Sequence, residues 1–250
     1  MLLRFLTLVL ALGWSCTLAA STDERYSIAT YSLELAGGVE QVDVYRPVSA
    51  THDGVAVLAH GFARSRARHR DLARALASAG VVAVVPDLPS VVNLWGNGDA
   101  LARFVVDLES GAVPSLAVKR ENVVLIGTSA GGLASLLAAA QLPRLAGWIG
   151  LDPVDRTGTG TRAASQLQSP AIVMLAEPSL CNLMTSGRAI AGALPRRWRT
   201  VDVADASHCD FEDPTNNMCQ AMCGRSSDAT REEIRNEIVV TTRELLEAAR

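Results

Sequence analysis

Ser129 stands in Gly-Thr-Ser-Ala-Gly-Gly, residues 127–132, between an apolar run from Val123 to Ile126 and a helical pattern carrying Leu133, Leu136 and Leu137. A serine on so sharp a strand-to-helix turn needs small neighbours, because the backbone passes close to adjacent elements. Gly127, Gly131 and Gly132 supply them. A serine hydroxyl is a weak nucleophile near neutral pH, so covalent chemistry requires a histidine to accept its proton and a carboxylate to orient that histidine. The chain has four histidines. His52 falls in a loop after the first strands, His60 ends a strand at His-Gly-Phe, and His69 opens an arginine-rich helix. His208, in Asp-Ala-Ser-His-Cys-Asp-Phe, follows the last strand pattern and precedes the last helix, and it takes the role of base by elimination. Between Ser129 and His208, three carboxylates leave strand ends: Asp152, Asp155 and Glu177. Asp152 directly ends the run Gly-Trp-Ile-Gly-Leu, with Pro153 helping to stop the strand, while Glu177 ends Ala-Ile-Val-Met-Leu-Ala on a longer stem.

These side chains can meet only if the elements carrying them open on one edge. Residues 26–35 and 39–47 alternate polar and apolar positions about Gly37-Gly38, which predicts an antiparallel hairpin at a sheet edge. Short apolar strands follow in GVAVLAHG, VVAVVPDLP, NVVLIGTS, GWIGLDPVD and PAIVMLAE, with helical patterns such as RDLARALASAG and DALARFVVDLES between most of them. That alternation predicts an α/β fold, a doubly wound and mostly parallel sheet with helices on both faces. In such a sheet the turn bearing Ser129 and the loop bearing His208 open on the same carboxyl edge. Residues 231–250 read as a final amphipathic helix with Ile234, Ile238, Thr241 and Leu245 on one side.

The 250 residues are 49% hydrophobic and carry 23 basic against 26 acidic side chains, a net charge of -3. That balance offers no polycationic surface for nucleic acid or for an anionic membrane. Residues 1–20 differ: Arg4, an apolar run and then small residues read as a signal peptide cleaved near Ala19 to Ser21, with residues 21–250 as one domain. The apolar run falls short of the ~20 residues a membrane-spanning helix needs, so no integral membrane segment is expected in the mature form, which would be secreted or periplasmic. Removal of Cys16 leaves Cys181, Cys209, Cys219 and Cys223, which in an oxidising compartment predicts two disulfides, with three pairings open. A zinc site at Cys-Gln-Ala-Met-Cys is disfavoured, since neither a C-x-x-C pair nor a second nearby histidine accompanies it. A nucleotide cradle is excluded, because Ser129 takes the place of a required glycine and no Gly-Lys-Ser/Thr follows.

The order of His-Gly-Phe, Gly-Thr-Ser-Ala-Gly-Gly, Gly-Leu-Asp-Pro-Val-Asp and Ser-His-Cys-Asp-Phe resembles the α/β-hydrolase superfamily over nearly the whole mature chain. In detail it is similar to the chlorophyllase-like and dienelactone-hydrolase-like branch, with relatives among bacterial lipases and polyester hydrolases. The resemblance implies the α/β-hydrolase fold, with Ser129 as nucleophile, His208 as base, and oxyanion-hole amides at Ala130 and Phe62. It also bears on the acid. Many members carry an aspartate after the next strand, where this chain has Ser179, whereas lipases and chlorophyllases carry it at Gly-[Leu/Ile]-Asp-Pro, which corresponds to Asp152. Glu177 is the alternative and Asp155 the third choice. The chain departs from both named branches: chlorophyllases often show Gly-His-Ser-Arg-Gly-Gly, and dienelactone hydrolases use a cysteine nucleophile.

The expected activity is cleavage of carboxylic esters by a secreted monomeric serine hydrolase that requires no cofactor or metal. With no lid insertion evident, the substrate would be a small-molecule or accessible polymeric ester. Trp95 is a candidate for lining the acyl or alcohol pocket, against a role in packing at the sheet rim. Arg64 and Arg66 are candidates for holding an anionic part of the substrate, against a solvated helix flank. The competing function is a catalytically decayed hydrolase scaffold serving as a secreted binding module, although a binder has no need of nucleophile, base and oxyanion motifs together.

Overall fold

The computed structural model describes residues 22–23, 25–35, 37–39, 41–90, 92–195 and 199–250; the predicted leader lies outside the described residues. Strands β1 (Thr22–Asp23), β2 (Tyr26–Ser32) and β3 (Gln41–Pro47) form an antiparallel edge, with Tyr26 opposite Pro47 and Ser32 opposite Gln41. Gly38, at φ +79°, makes the turn between β2 and β3 in a conformation that only glycine adopts freely. The rest of the sheet is built from β4 (Val55–Ala59), β5 (Val82–Pro86), β6 (Val123–Thr128), β7 (Gly147–Leu151), β8 (Ala171–Leu175) and β9 (Arg199–Asp202). Each of these pairs in parallel with its neighbours, and β3 joins the set antiparallel to β5. Among the described residues the sheet has nine strands in the order β1-β2-β3-β5-β4-β6-β7-β8-β9.

That order contains one reversal. From β4 the chain passes to β5 on one side and then to β6 on the other, so the loops leaving the carboxyl ends of β4 and β6 diverge and leave a crevice between them. His60 to Phe62 follow β4, and Ser129 follows β6.

Parallel strands buried on both faces read as continuous apolar runs, and their alternate residues feed two cores. Val55, Val57 and Ala59 of β4 face a core with Phe104 and Leu108 of α2 (Leu94–Glu109), Leu136 of α3 (Ala130–Gln141), Ala164 of α4 (Thr159–Gln166) and Ile190 of α5 (Gly187–Ala193). Ala56 and Leu58 face the other core, with Leu72 and Leu76 of α1 (Arg70–Ser78) and Ile234, Ile238 and Leu245 of the terminal helix. A short helix, Asn217–Cys223, precedes that terminal helix, Asp228–Ala248; they are α6 and α7.

Two helix starts differ from the sequence reading, and capping explains both. The α7 helix begins at Asp228 rather than Arg231, because the Ser227 hydroxyl accepts from the Thr230 amide at 3.0 Å. Asn93 accepts from the Gly96 amide at 3.0 Å, so α2 begins at Leu94 despite the two glycines of Leu-Trp-Gly-Asn-Gly, and Trp95 lies in its first turn. No helix among the described residues is long and apolar enough to cross a membrane.

Candidate active site

Ser129 joins β6 to α3 with φ +56° and ψ −121°, a conformation costly for a residue with a Cβ, of order 1–3 kcal/mol. The surroundings hold it there. Its amide donates to the Leu151 carbonyl at 3.0 Å, and its carbonyl accepts from Val154 at 3.1 Å and Leu133 at 3.3 Å. The turn is as tight as the sequence implies: a Cβ on Gly131 would lie 2.2 Å from the Ala59 carbonyl oxygen and 2.3 Å from that of His60. Glycine there lets α3 start directly against the end of β4.

His208 begins a 3-10 turn, His208–Phe211, pinned from both sides. The Thr128 hydroxyl donates to the Phe211 carbonyl at 3.1 Å, the Ser207 amide donates to Asp210 at 2.6 Å, and Cys209 is bridged to Cys219. The imidazole is buried, with Nε2 at 2.9 Å from Ser129 Oγ and Nδ1 at 2.6 Å from Asp152 Oδ2. An ionised carboxylate can only accept, so Nδ1 carries the proton and Nε2 is free to accept from the serine. A hydroxyl, an imidazole and a carboxylate in this series can activate the hydroxyl oxygen as a nucleophile.

The structure separates the three carboxylates. Asp152 follows β7 at φ +43° and is fully buried, its Oδ1 accepting from the Ala176 amide at 3.2 Å. Asp155 accepts from the amides of Thr157 and Thr161, both at 3.1 Å, and thereby holds the start of α4. Glu177 is exposed. One residue at this site escaped the sequence reading: Asn182, fully buried, donates from Nδ2 to Asp152 Oδ2 at 3.0 Å. It lies 30 residues along the chain from Asp152, and no local pattern marks it.

The loop after β4 closes over the serine. A Cβ on Gly61 would stand 3.4 Å from that of Ser129. Ala130 opens α3, where the first amides have no intrahelical acceptor, and Phe62 and Ala130 line the same cavity as Ser129. Buried His60 donates from Nδ1 to the Gly61 carbonyl at 3.0 Å and accepts at Nε2 from the Leu88 amide at 3.0 Å. Burial lowers its pKa, which favours the neutral ring that this pair of bonds requires. His60 therefore braces the loop.

The two arginines considered for anion binding both have carboxylate partners. Arg64 lines the cavity, but its Nε donates to buried Glu212 at 2.6 Å, joining the loop after β4 to the segment after His208. Arg66 lies outside the cavity lining and pairs with Asp43 at 3.1 Å and with Asp87.

The cavity measures about 630 Å³, and its walls include Phe62, Trp95, Leu133, Leu183, Met218 and Met222. Trp95 is half exposed at its rim, so it reaches the cavity from the first turn of α2. Both cysteines of the disulfide Cys181–Cys223, and Cys219 of Cys209–Cys219, form part of the same wall. The sulfurs of Cys209, Cys219 and Cys223 lie within 4.8 Å of one another, but each is committed to a disulfide and offers no thiolate to a metal. A hollow of about 880 Å³ between β9 and α7 is lined by a mixture of apolar, polar and acidic side chains and contains neither serine nor histidine.

Residues 56–216, more than half of the chain, match the family model described as "Alpha/beta hydrolase family". The match runs from β4 through the loop after His208. No match was found among curated proteins.

Proposed function

The chain belongs to the alpha/beta hydrolase family, and from that premise we propose that it is a secreted serine hydrolase of carboxylic esters. The observation that carries this reading is the unbroken contact from Ser129 Oγ through the His208 ring to Asp152, at 2.9 and 2.6 Å, opening on an apolar cavity. Ser129 Oγ attacks the ester carbonyl while His208 Nε2 takes its proton. Negative charge collects on the carbonyl oxygen, where the amides of Ala130 and Phe62 donate to it. Asp152 stabilises the imidazolium. His208 then returns the proton to the departing alcohol, leaving an acyl group on Ser129. Water, deprotonated by the same Nε2, attacks that acyl group, and collapse of the second intermediate frees the acid and restores the serine.

The substrate class follows from the cavity. Its aliphatic, aromatic and thioether walls suit an apolar acyl or alcohol group, and its open mouth suits an accessible polymeric ester as well as a small one. Because Glu212 already neutralises Arg64, that guanidinium offers no anionic subsite. Two disulfides favour an oxidising compartment, in keeping with export through the N-terminal leader.

A fluorophosphonate probe, used beside p-nitrophenyl esters of rising chain length, tests the proposal. The wild-type chain is expected to be labelled and to turn over the apolar esters, and Ser129→Ala to do neither. A wild-type chain that neither reacts nor turns over would support the decayed-scaffold alternative.

A further inference from the structure

Asp152 is a fully buried carboxylate, and among the described residues the only group in an ion-pair contact with it that can carry positive charge is His208. A buried carboxylate without a permanent cation must be held by hydrogen-bond donors or it takes up a proton. Besides the imidazole, two neutral donors reach it: the Ala176 amide at Oδ1, 3.2 Å away, and Asn182 Nδ2 at Oδ2, 3.0 Å away. Oδ2 is the oxygen that also meets His208 Nδ1. Asn182 therefore acts on the atom that contacts the base.

The amide of Asn182 has a single workable orientation. Nδ2 donates to Asp152 and to the Glu177 carbonyl at 2.9 Å, while Oδ1 accepts from the amides of Ser179 at 2.9 Å and Thr185 at 3.0 Å. Flipping the group would set its oxygen against two acceptors and its nitrogen against two donors. The backbone around it is unusual: Leu183, Met184 and Thr185 all have φ between +52° and +62°, a conformation L-residues adopt reluctantly. The neighbouring Cys181 is bridged to Cys223. Side-chain bonds and the disulfide together fix a loop whose own torsions oppose it.

We propose that Asn182 is a positioning residue for Asp152, holding the carboxylate turned so that Oδ2 faces His208; this rests on the esterase reading of the site. Asn182 touches neither the nucleophile nor the cavity, so it acts through Asp152 alone. Its amide places the positive end of its dipole against Oδ2, the oxygen that His208 Nδ1 also meets. Removing it takes a donor from that oxygen and alters the field at the pair.

The test compares the wild-type chain with Asn182→Leu and the smaller Asn182→Ser, each checked for a native circular-dichroism spectrum and two intact disulfides. Asn182→Leu also strands three backbone groups, so loss of turnover alone would not distinguish positioning from damage. The expected result is a kcat reduced on the order of tenfold with KM within about twofold, and a displaced acid limb of the pH–rate profile in both variants. The proton between His208 Nδ1 and Asp152, observed by NMR without turnover, is expected to shift or broaden. An unchanged acid limb together with an unchanged resonance would overturn the proposal, as would a rise in KM at full kcat. Wild-type turnover that survives Ser129→Ala would sink the esterase reading alone, since the resonance reports on Asn182 independently of catalysis. If Asn182→Leu fails to fold, Asn182→Ser decides by the same readings.

Discussion

Asp152 and Glu177 are both acidic, both follow a strand, and both lie between Ser129 and His208, so residue type and order leave the choice of acid between them open. What distinguishes them is where the strand stops. Pro153, two residues after Leu151, helps end β7, and the turn at Asp152 aims its short side chain inward, where Nδ1 of His208 meets it at 2.6 Å. Glu177 lies beyond the end of β8, with its amide bound to the Ala206 carbonyl at 3.0 Å and the residue exposed. The two carboxylates should therefore differ sharply when neutralised. Asp152→Asn presents an amide to Nδ1 and favours the wrong tautomer, and kcat for an apolar ester is expected to drop on the order of 10³- to 10⁴-fold. Glu177→Gln is expected to stay within about twofold. Steady-state kinetics on the two variants checks this, and a large loss in Glu177→Gln would move the acid elsewhere. The positions of Ser129, His208 and the small residues around the turn were legible because the constraint on each is local: a tight turn, or the end of the last strand. Asn182 was not, since its meaning comes from Asp152, 30 residues away, and from amides whose direction depends on three left-handed residues.

At the scale of elements, the buried histidine at the start of α1 couples the strand ends to pH. His69 is wholly buried and its Nε2 donates to the Ala59 carbonyl at 3.1 Å, the point where β4 gives way to the loop carrying Phe62. Burial, opposed by that hydrogen bond and reinforced by nearby His60, lowers its pKa from the ordinary 6.5 to about 4. Between those values the unfolded chain binds a proton that the folded chain rejects. The stability contributed by keeping His69 neutral is thus complete above pH ~6.5, falls as the pH drops and levels off below pH ~4, a loss of about 3 kcal/mol. Urea unfolding of wild type and His69→Gln at a series of pH values tests this: the wild-type curve should fall more steeply between pH 6.5 and 4. Parallel curves would contradict it. The strands and most helices could be read from periodicity because burial on both faces leaves long apolar runs. The beginnings of α2 and α7 could not, because Asn93 and Ser227 act through single cap bonds that override the glycines and charges nearby.

Across the whole molecule, the sheet reversal makes the crevice and distant segments complete it. The Arg64–Glu212 pair joins the loop after β4 to the segment after His208, across 148 residues of chain. The α6 helix, only seven residues long and with Cys219 as its sole buried side chain, has too little core to hold itself in place. Two disulfides hold it instead: Cys209–Cys219 ties it to the histidine segment, and Cys181–Cys223 ties it to the loop of Asn182. Four cysteines announce this clasp in the sequence, but their pairing depends on which loops meet at the cavity. With α6 fixed there, Met218 and Met222 face the cavity that the proposed acyl group enters. Acylation of Ser129 is tested by mixing the wild-type chain with a p-nitrophenyl ester, quenching in acid during the first turnovers, and weighing the proteolytic peptides. One acyl group is expected on the peptide containing Ser129, and none in Ser129→Ala. Turnover with that peptide unmodified throughout, or an acyl group on a different residue, would contradict it.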